Sequence, residues 1–283
     1  MIHTDPPTLR ILQISDLHFG PPFIENIGAA VLRIAHQLLP TAVVVNGDLT
    51  QRAKREQFLA ARDFLAQLPD VPRLVIPGNH DVPLYRIAER MLAPHALYRE
   101  IICQDLNPVL RLDGAVLAGL DSTAPHSAIS NGRIFHSQLD ACARVFATVP
   151  PDVLRVVVAH HHFAPAPDYL HDSTMPGSRR AMRRFADLGV DLILGGHLHR
   201  ACISNSLDFY PGAHRERGII IVQCGTTTSQ RGRGRERQKN SLNLIEVSPS
   251  SITITHYMFF HEGDGFQPIS RHTFRRGPVS GAE

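Results

Sequence analysis

The sequence predicts a layered α/β fold in which a mostly parallel first part is followed by hairpin-like strands. Short apolar runs recur along the 283 residues, and amphipathic helical patterns separate them up to about residue 196. Several of these runs are continuously apolar, which is typical of strands that are covered on both faces. After residue 196 strand patterns dominate, as expected when parallel crossovers give way to antiparallel strands.

The individual elements follow from local pattern. Nine apolar runs bounded by Gly, Pro, Asp or Asn predict strands at 10–15, 42–46, 73–77, 115–120, 154–159, 191–196, 219–224, 242–247 and 252–257. Helical patterns predict helices at 25–39, 51–68, 137–148 and 178–188. The helix over 51–68 shows the pattern most clearly, because Phe58, Ala61, Leu65 and Leu68 form one apolar stripe. No internal repeat or linker interrupts the chain, so we expect one domain over 9–275 with flexible termini at 1–8 and 276–283.

Composition narrows the class of protein. The net charge of +3 suits an anionic substrate but is too weak to indicate a nucleic-acid partner. The first residues lack the pattern of a signal peptide, and no apolar stretch reaches the roughly 20 residues of a membrane helix. The four cysteines form no closely spaced pair, which predicts reduced thiols in a cytoplasmic protein.

Polar residues that suit metal binding follow five of the predicted strands directly. In order along the chain, they are Asp16 and His18; Asp48; Asn79, His80 and Asp81; His160, His161 and His162; and His197 and His199. In open α/β sheets, ligands bind at the carboxyl ends of the strands. If these strands are neighbours, all five clusters converge on one edge of the sheet.

The residue types in these clusters form a set suited to two metal ions. His together with Asp suits transition metals such as Mn, Fe, Co or Zn, whereas Ca and Mg prefer oxygen ligands alone. A carboxylate such as that of Asp48 has two oxygens and could bridge two ions. Each cluster by itself has an ordinary explanation as a turn or a helix cap. Their joint occurrence, always after a strand, favours the metal site.

These motifs together resemble the calcineurin-like metallophosphoesterase signature. The resemblance spans residues 11–199 and rests on Asp16-Leu17-His18, Gly47-Asp48, Gly78-Asn79-His80-Asp81, the histidines from His160, and Gly196-His197-Leu198-His199. It implies that the domain is a four-layer αββα sandwich with a dinuclear metal site at the carboxyl edge of the sheets.

The resemblance also implies roles for single residues. One ion would be bound by Asp16, His18 and His199, and the other by Asn79, His160 and His197, with Asp48 as the bridge. We expect Mn or Fe, with Zn and Co as alternatives. His80 would donate a proton and stabilise the transition state, and Asp81 would orient it. His161 or His162 would face substrate or solvent.

The expected activity is that of a phosphodiesterase in which a metal-bridging hydroxide attacks phosphorus. The Gly-Asp-x-x-Asp-Arg-Gly pattern of protein Ser/Thr phosphatases is broken here, because Gln51 and Ala53 replace its second Asp and final Gly. Residues 76–83 look more like the bacterial cyclic-nucleotide and glycerophosphodiester phosphodiesterase branch, so a small phosphodiester is the expected substrate. The alternatives are a phosphomonoesterase, a nuclease, a nucleotide-lipid pyrophosphatase, and a non-catalytic scaffold with the same fold.

Two irregular segments of the sequence are predicted to form loops. The Pro-rich stretch 161–178 follows a predicted metal ligand, which indicates a lid or substrate-binding loop. The Arg-rich stretch 231–239 lies between two predicted strands and has the composition of a solvated surface loop.

Overall fold

The computed structural model describes residues 8–127, 132–165, 174–210, 218–232 and 239–276. Within these residues the chain forms two six-stranded sheets. The strands, in chain order, are β1 (Leu9–Ile14), β2 (Ala42–Val45), β3 (Arg73–Val75), β4 (Val109–Leu112), β5 (Ala115–Leu120), β6 (Leu154–Ala159), β7 (Leu192–Gly195), β8 (Cys202–Asn205), β9 (Ile220–Gln223), β10 (Ser241–Val247), β11 (Ser251–Phe260) and β12 (Gly265–Arg275).

Both sheets combine parallel and antiparallel pairing. The first sheet has the order β12-β11-β10-β1-β2-β3, in which β1, β2 and β3 are parallel and β10 to β12 form an antiparallel meander beside β1. The second has the order β4-β5-β6-β7-β9-β8, in which β5, β6, β7 and β9 are parallel and the two edge strands are antiparallel. Consequently, the carboxyl ends of β1, β2 and β3 share one edge, as do those of β6 and β7.

The described residues form helices α1 (Glu25–Leu38), α2 (Arg55–Leu65), α3 (Ile87–Leu92), α4 (Ala96–Ile101), α5 (His136–Phe146), α6 (Ser178–Asp187) and α7 (Ser206–Phe209), and a 3-10 turn spans Asn79–Asp81. The longer helices α1, α2, α5 and α6 cover the outer faces of the two sheets. Val31 of α1 and Phe58 of α2 pack in one apolar cluster with Leu12 of β1. Phe146 of α5 and Phe185 of α6 pack in another with Val157 of β6.

A third apolar cluster lies between the two sheets and holds them face to face. It contains Ile11 and Val44 from the first sheet and Val156 and Leu192 from the second. These side chains are fully buried, and burial of each contributes roughly 1.5–3 kcal/mol relative to exposure. The layers therefore follow the order helix, sheet, sheet, helix, which confirms the αββα sandwich.

All nine predicted strands and all four predicted helices occur, with ends that shift by up to four residues. Three strands were not predicted: β4, β8 and β12. Each lies at the edge of a sheet and is half-buried or exposed along much of its length, so its sequence lacks a continuous apolar run.

The chain ends lie mostly outside the described residues. Of the predicted flexible termini, the structure describes Thr8 and Arg276, and their backbone N–H groups donate to the carbonyls of Val247 and Ser250. The four cysteines are free thiols. No helix in the described ranges is long and apolar enough to cross a membrane.

Candidate metal centre

The structure brings the five predicted clusters together where the carboxyl edges of the two sheets meet. Buried amide side chains join the sheets directly below this junction. The Gln13 Nε2 group donates to the Gly195 carbonyl at 3.1 Å, and Asn46 Nδ2 donates to the Leu194 carbonyl at 2.9 Å. Gly196 N–H also donates to the His160 carbonyl at 3.0 Å. Hydrogen bonds within the protein therefore hold together the strand ends that carry the predicted ligands.

The first group of candidate ligands comprises Asp16, His18, Asp48 and His199, and all four are buried. The Nε2 atoms of His18 and His199 are 3.2 Å apart. Asp16 Oδ1 lies 3.1 Å from His199 Nε2, and Asp48 Oδ2 lies 3.7 Å from His18 Nε2. Two carboxylates and two imidazoles thus direct donor atoms at one small volume.

The second group gathers around the side chain of Asn79. Its Oδ1 lies 3.2 Å from His160 Nε2 and 3.0 Å from His197 Nδ1. The Asp48 Oδ2 atom is 3.4 Å from the same His160 Nε2. Asp48 therefore stands between the two groups, in the position that a shared carboxylate would occupy.

The hydrogen bonds of the histidines fit a pair of divalent ions. His160 Nδ1 donates to the Asn46 carbonyl at 2.6 Å, and His199 Nδ1 donates to the Arg231 carbonyl at 2.6 Å. This arrangement fixes the tautomer and leaves a lone pair on each Nε2, as in metal-binding histidines. Those lone pairs face carboxylate oxygens, which is unfavourable unless a cation lies between them.

Two buried carboxylate oxygens also indicate that a cation binds between these groups. Among the described residues, Asp16 Oδ1 and Asp48 Oδ2 accept no well-formed hydrogen bond, although imidazole nitrogens lie nearby. A buried ionised oxygen without a partner costs several kcal/mol, so it is normally paired or binds a metal. The residues present thus match the donor set that the family resemblance requires.

Burial and neighbouring charges shift the pKa values of these groups. Burial lowers the pKa of His18 and of His197 well below the ordinary value, so both imidazoles are neutral near pH 7. Burial alone would raise the pKa of Asp48, but His160 and His80 hold it well below its usual range. For His160, burial is outweighed by Asp48, and the pKa rises to about 9. The space between His160 and Asp48 therefore favours positive charge.

The backbone at the strand ends is strained. Five of the seven predicted ligands have left-handed φ angles: Asp16 (54°), His18 (51°), Asp48 (52°), His197 (69°) and His199 (52°). Residues other than glycine adopt this region at a cost of order 1–3 kcal/mol, and such strain clusters at functional sites. The sharp turns direct both members of each x-Leu-x motif, Asp16 with His18 and His197 with His199, inward.

One glycine is required by close packing at the centre. A Cβ atom added to Gly78 would lie 2.2 Å from Asp48 Oδ1 and 2.3 Å from the Asp48 backbone nitrogen. Any side chain at Gly78 would therefore displace the carboxylate that lies between the two ligand groups.

His80 lies beside the first ligand group, and its ring centroid is 4.9 Å from that of His18. The Nδ1 atom lies 2.9 Å from the Gln51 carbonyl, to which it donates, and the Arg231 guanidinium donates to Nε2 at 3.0 Å. Burial lowers the pKa of His80, although Asp48 opposes the shift. In this tautomer Nε2 carries no proton at rest.

The orienting role predicted for Asp81 needs a correction. Its carboxylate accepts hydrogen bonds from the backbone N–H groups of Leu49, Thr50 and Gly78, not from the His80 ring. The Gln51 carbonyl orients His80 instead. Burial and the nearby Asp48 raise the pKa of Asp81 to about 7, while the backbone donors oppose this. Asp81 is a positioning residue that holds the Asp48 loop against the Gly78 turn.

Sequence analysis missed Arg231. It opens the Arg-rich stretch that was predicted to be solvated, yet it is half-buried and contacts both His80 and His199. Its guanidinium also donates to Gln51 Oε1 at 3.0 Å. No sequence motif distinguishes Arg231 from the other arginines of 231–239, so its role was not predictable. Residues 233–238 of this stretch lie outside the described residues.

The two histidines after His160 turn inward. His161 and His162 are both buried. His161 Nδ1 pairs with Ser122 Oγ at 2.8 Å, and its ring centroid lies 4.6 Å from that of His197. His161 therefore lies beside the second ligand group. In the predicted lid at 161–178, residues 166–173 fall outside the described residues.

Comparison with known proteins agrees with this geometry. The sequence profile described as calcineurin-like phosphoesterase matches residues 9–201. No curated protein matches the chain in sequence. Purple acid phosphatase PPD1 from yellow lupin seeds has the same fold, with a TM-score of 0.71, 13% identity, and coverage of 96% of this chain and 54% of that one. The chain thus spans about half the length of the lupin phosphatase.

Two further solved structures share the fold. GAP50 of Plasmodium aligns with a TM-score of 0.59 and 13% identity, covering 94% of this chain and 88% of its own. A Vps29 variant from Entamoeba histolytica aligns with a TM-score of 0.50 and 15% identity, covering 94% and 99%. At these identities the likeness extends to the fold alone.

Proposed function

Since the chain belongs to the calcineurin-like phosphoesterase family, we propose that it is a metal-dependent enzyme that hydrolyses small phosphodiesters. The observation that carries the proposal is the pair of ligand groups that meet at Asp48. Five of the seven side chains are buried, the tautomers of His160 and His199 suit metal binding, and five of the seven residues have a strained backbone.

We assign one ion to Asp16, His18 and His199, and the other to Asn79, His160 and His197, with Asp48 shared by both. The mixture of imidazole nitrogens and oxygen donors suits transition metals, and we propose Mn or Fe, with Zn and Co as alternatives. Two bound ions would supply Lewis acidity that activates water and neutralises charge on the phosphoryl group. The Asn46 and Arg231 carbonyls keep two of the imidazoles in the required tautomer.

His80 and Arg231 act on the leaving side of the reaction. With Nδ1 bound to the Gln51 carbonyl, His80 has only Nε2 available to exchange a proton with the leaving oxygen. It must first gain that proton, and the resulting cation would stabilise developing negative charge before the transfer. The Arg231 guanidinium beside Nε2 places a permanent positive charge at the same position.

The preference for diesters is supported by the residues that follow Asp48. Gln51 stands where the Ser/Thr phosphatase pattern has its second Asp, and it is engaged by His80 through its carbonyl and by Arg231 through its side chain. A neutral residue fills this position, so the phosphatase pattern is incomplete. The resemblance of residues 76–83 to bacterial phosphodiesterases points the same way.

We predict that bis(4-nitrophenyl) phosphate is a better substrate than 4-nitrophenyl phosphate, with kcat/KM at least about tenfold higher, a difference of about 1.4 kcal/mol in the barrier. Both substrates release the same nitrophenolate, so the comparison isolates the second ester group. The measurement uses Mn-loaded protein at one pH. A higher kcat/KM for the monoester would make the enzyme a phosphomonoesterase instead.

The rival from another class is a non-catalytic scaffold with the same fold. GAP50, described as the anchor in the inner membrane complex of Plasmodium, is a relative in fold. The complete set of ligand types at the strand ends of this chain favours the enzyme. Bound metal without turnover of any phosphoester would favour the scaffold.

A further inference from the structure

A cluster of exposed apolar side chains lies immediately after the catalytic turn at 79–81. We call Leu84, Tyr85, Ile87, Met91 and Leu92 the apolar patch; each is between 50% and 86% exposed. The helix within it, α3, buries none of its residues. Together these side chains expose on the order of 500 Å², near the upper end of the roughly 300–600 Å² found for the largest patches on monomers, which are often functional.

Hydrogen bonds from two arginines and a neighbouring histidine anchor the same segment to the protein. The Arg86 guanidinium donates to the carbonyls of Arg52 and Ala53 at 3.2 and 2.7 Å. Arg90 donates to the Pro83 carbonyl at 3.2 Å, and His126 bonds to the Met91 carbonyl at 3.2 Å. These hydrogen bonds thus hold the segment while its large apolar side chains stay exposed, whereas a typical surface helix buries its apolar face.

The segment that carries the apolar patch contacts a stretch of chain that also contacts His80 at the metal centre. The stretch 51–53 connects them, because the Gln51 carbonyl bonds to His80 while the next residue, Arg52, lies under the Tyr85 ring at 5.1 Å. A phosphoester held near His80 would therefore have an apolar surface within reach, with the Arg52 cation between that surface and the metal centre.

We propose that the apolar patch binds a long alkyl or acyl chain of the substrate, so that the enzyme acts on amphiphilic phosphodiesters. This inference rests on the proposed function. Hydrolysis would add water across one P–O ester bond and give an alcohol and a phosphomonoester, with the chain held on the patch. The area suits a substrate chain better than a second copy of the protein, because stable interfaces bury about 800 Å² per partner. The Arg52 guanidinium complements the anionic end of such a molecule.

The test uses the methyl and octyl esters of 4-nitrophenyl phosphate, with the octyl ester below its micellar concentration. Each buried methylene contributes roughly fourfold in binding, so we expect kcat/KM of the wild type to be at least about tenfold higher for the octyl ester. In the Ile87→Ser/Leu92→Ser variant, the octyl-to-methyl ratio should fall toward one. The matched control is Ile269→Ser, an exposed apolar residue on β12, which should keep the wild-type ratio.

A binding measurement separates failure of this inference from failure of the proposed function. If no phosphodiester is hydrolysed, the proposed function fails, and calorimetric titration with octyl and methyl phosphate then tests the patch by itself. Octyl phosphate should bind at least about tenfold more tightly to the wild type and lose this advantage in the double variant.

Three outcomes would overturn the inference. The first is equal kcat/KM and equal binding for the two chain lengths in the wild type. The second is a wild-type dimer in sedimentation that the double variant dissociates, which would assign the patch to a second copy. The third is co-sedimentation of the wild-type protein with phosphatidylglycerol vesicles while the octyl-to-methyl ratio of kcat/KM stays at one, which would assign the patch to a membrane surface.

Discussion

Replacing Asp48 by alanine is expected to lower kcat/KM by at least about 10³-fold and to reduce the bound metal below one ion per chain. Loss of a single charge-stabilising group in an active site typically costs about 10²–10³-fold, and Asp48 faces both ligand groups. Its Oδ2 lies 3.7 Å from His18 Nε2 in one ligand group and 3.4 Å from His160 Nε2 in the other. Steady-state kinetics and elemental analysis of the purified variant measure the two effects.

The control for this experiment is Asp140→Ala, which removes an exposed carboxylate on α5, a helix that carries none of the candidate ligands. It should keep wild-type metal content and activity. Retention of both ions and most of the activity by Asp48→Ala would show that the carboxylate is not shared between the ions.

The second large effect is expected at His80. The His80→Ala variant should keep its metals and lose about 10²–10⁴-fold on an alkyl diester, the range typical of general acid catalysis. The loss should be much smaller on a nitrophenyl diester, because nitrophenolate is a stable anion that leaves without a proton. The comparison requires kcat/KM for both diesters and the metal content of the same preparation.

The matched control is His136→Ala, which removes an exposed histidine at the start of α5. Equal losses on both diesters in His80→Ala would mean that His80, together with Arg231, stabilises the phosphoryl oxygens instead of protonating the leaving group. Loss of metal would make His80 a ligand, and the assignment of the other ligands would then change.

The fold was predictable where strands are buried on both faces. The run 115–120 became β5 and the run 154–159 became β6 with the predicted bounds, because central strands between two layers have no polar face. In contrast, β12 has an exposed, largely polar sequence and exists because it pairs along the length of β11. Pairing of this kind is a tertiary property that no local pattern records.

The residues that converge at the candidate site were predictable from the sequence. Asp16, Asp48, Asn79, His160 and His197 each follow a strand end, and parallel strands must place such residues at one edge. Which of them hold ions stays a prediction. The hydrogen-bond partners of these side chains were not predictable, because they come from segments that are distant in sequence. The Asp81 carboxylate accepts hydrogen bonds from backbone N–H groups of another loop. Arg231, which donates to His80, lies 151 residues after it in the chain.

Elemental analysis of the active wild-type protein before and after chelation tests whether two metal ions act at this junction. We expect about two transition-metal ions per chain, loss of phosphodiester hydrolysis when a chelator removes them, and recovery when Mn is added. Active protein that contains no metal above trace level would show that the reaction does not depend on metal ions.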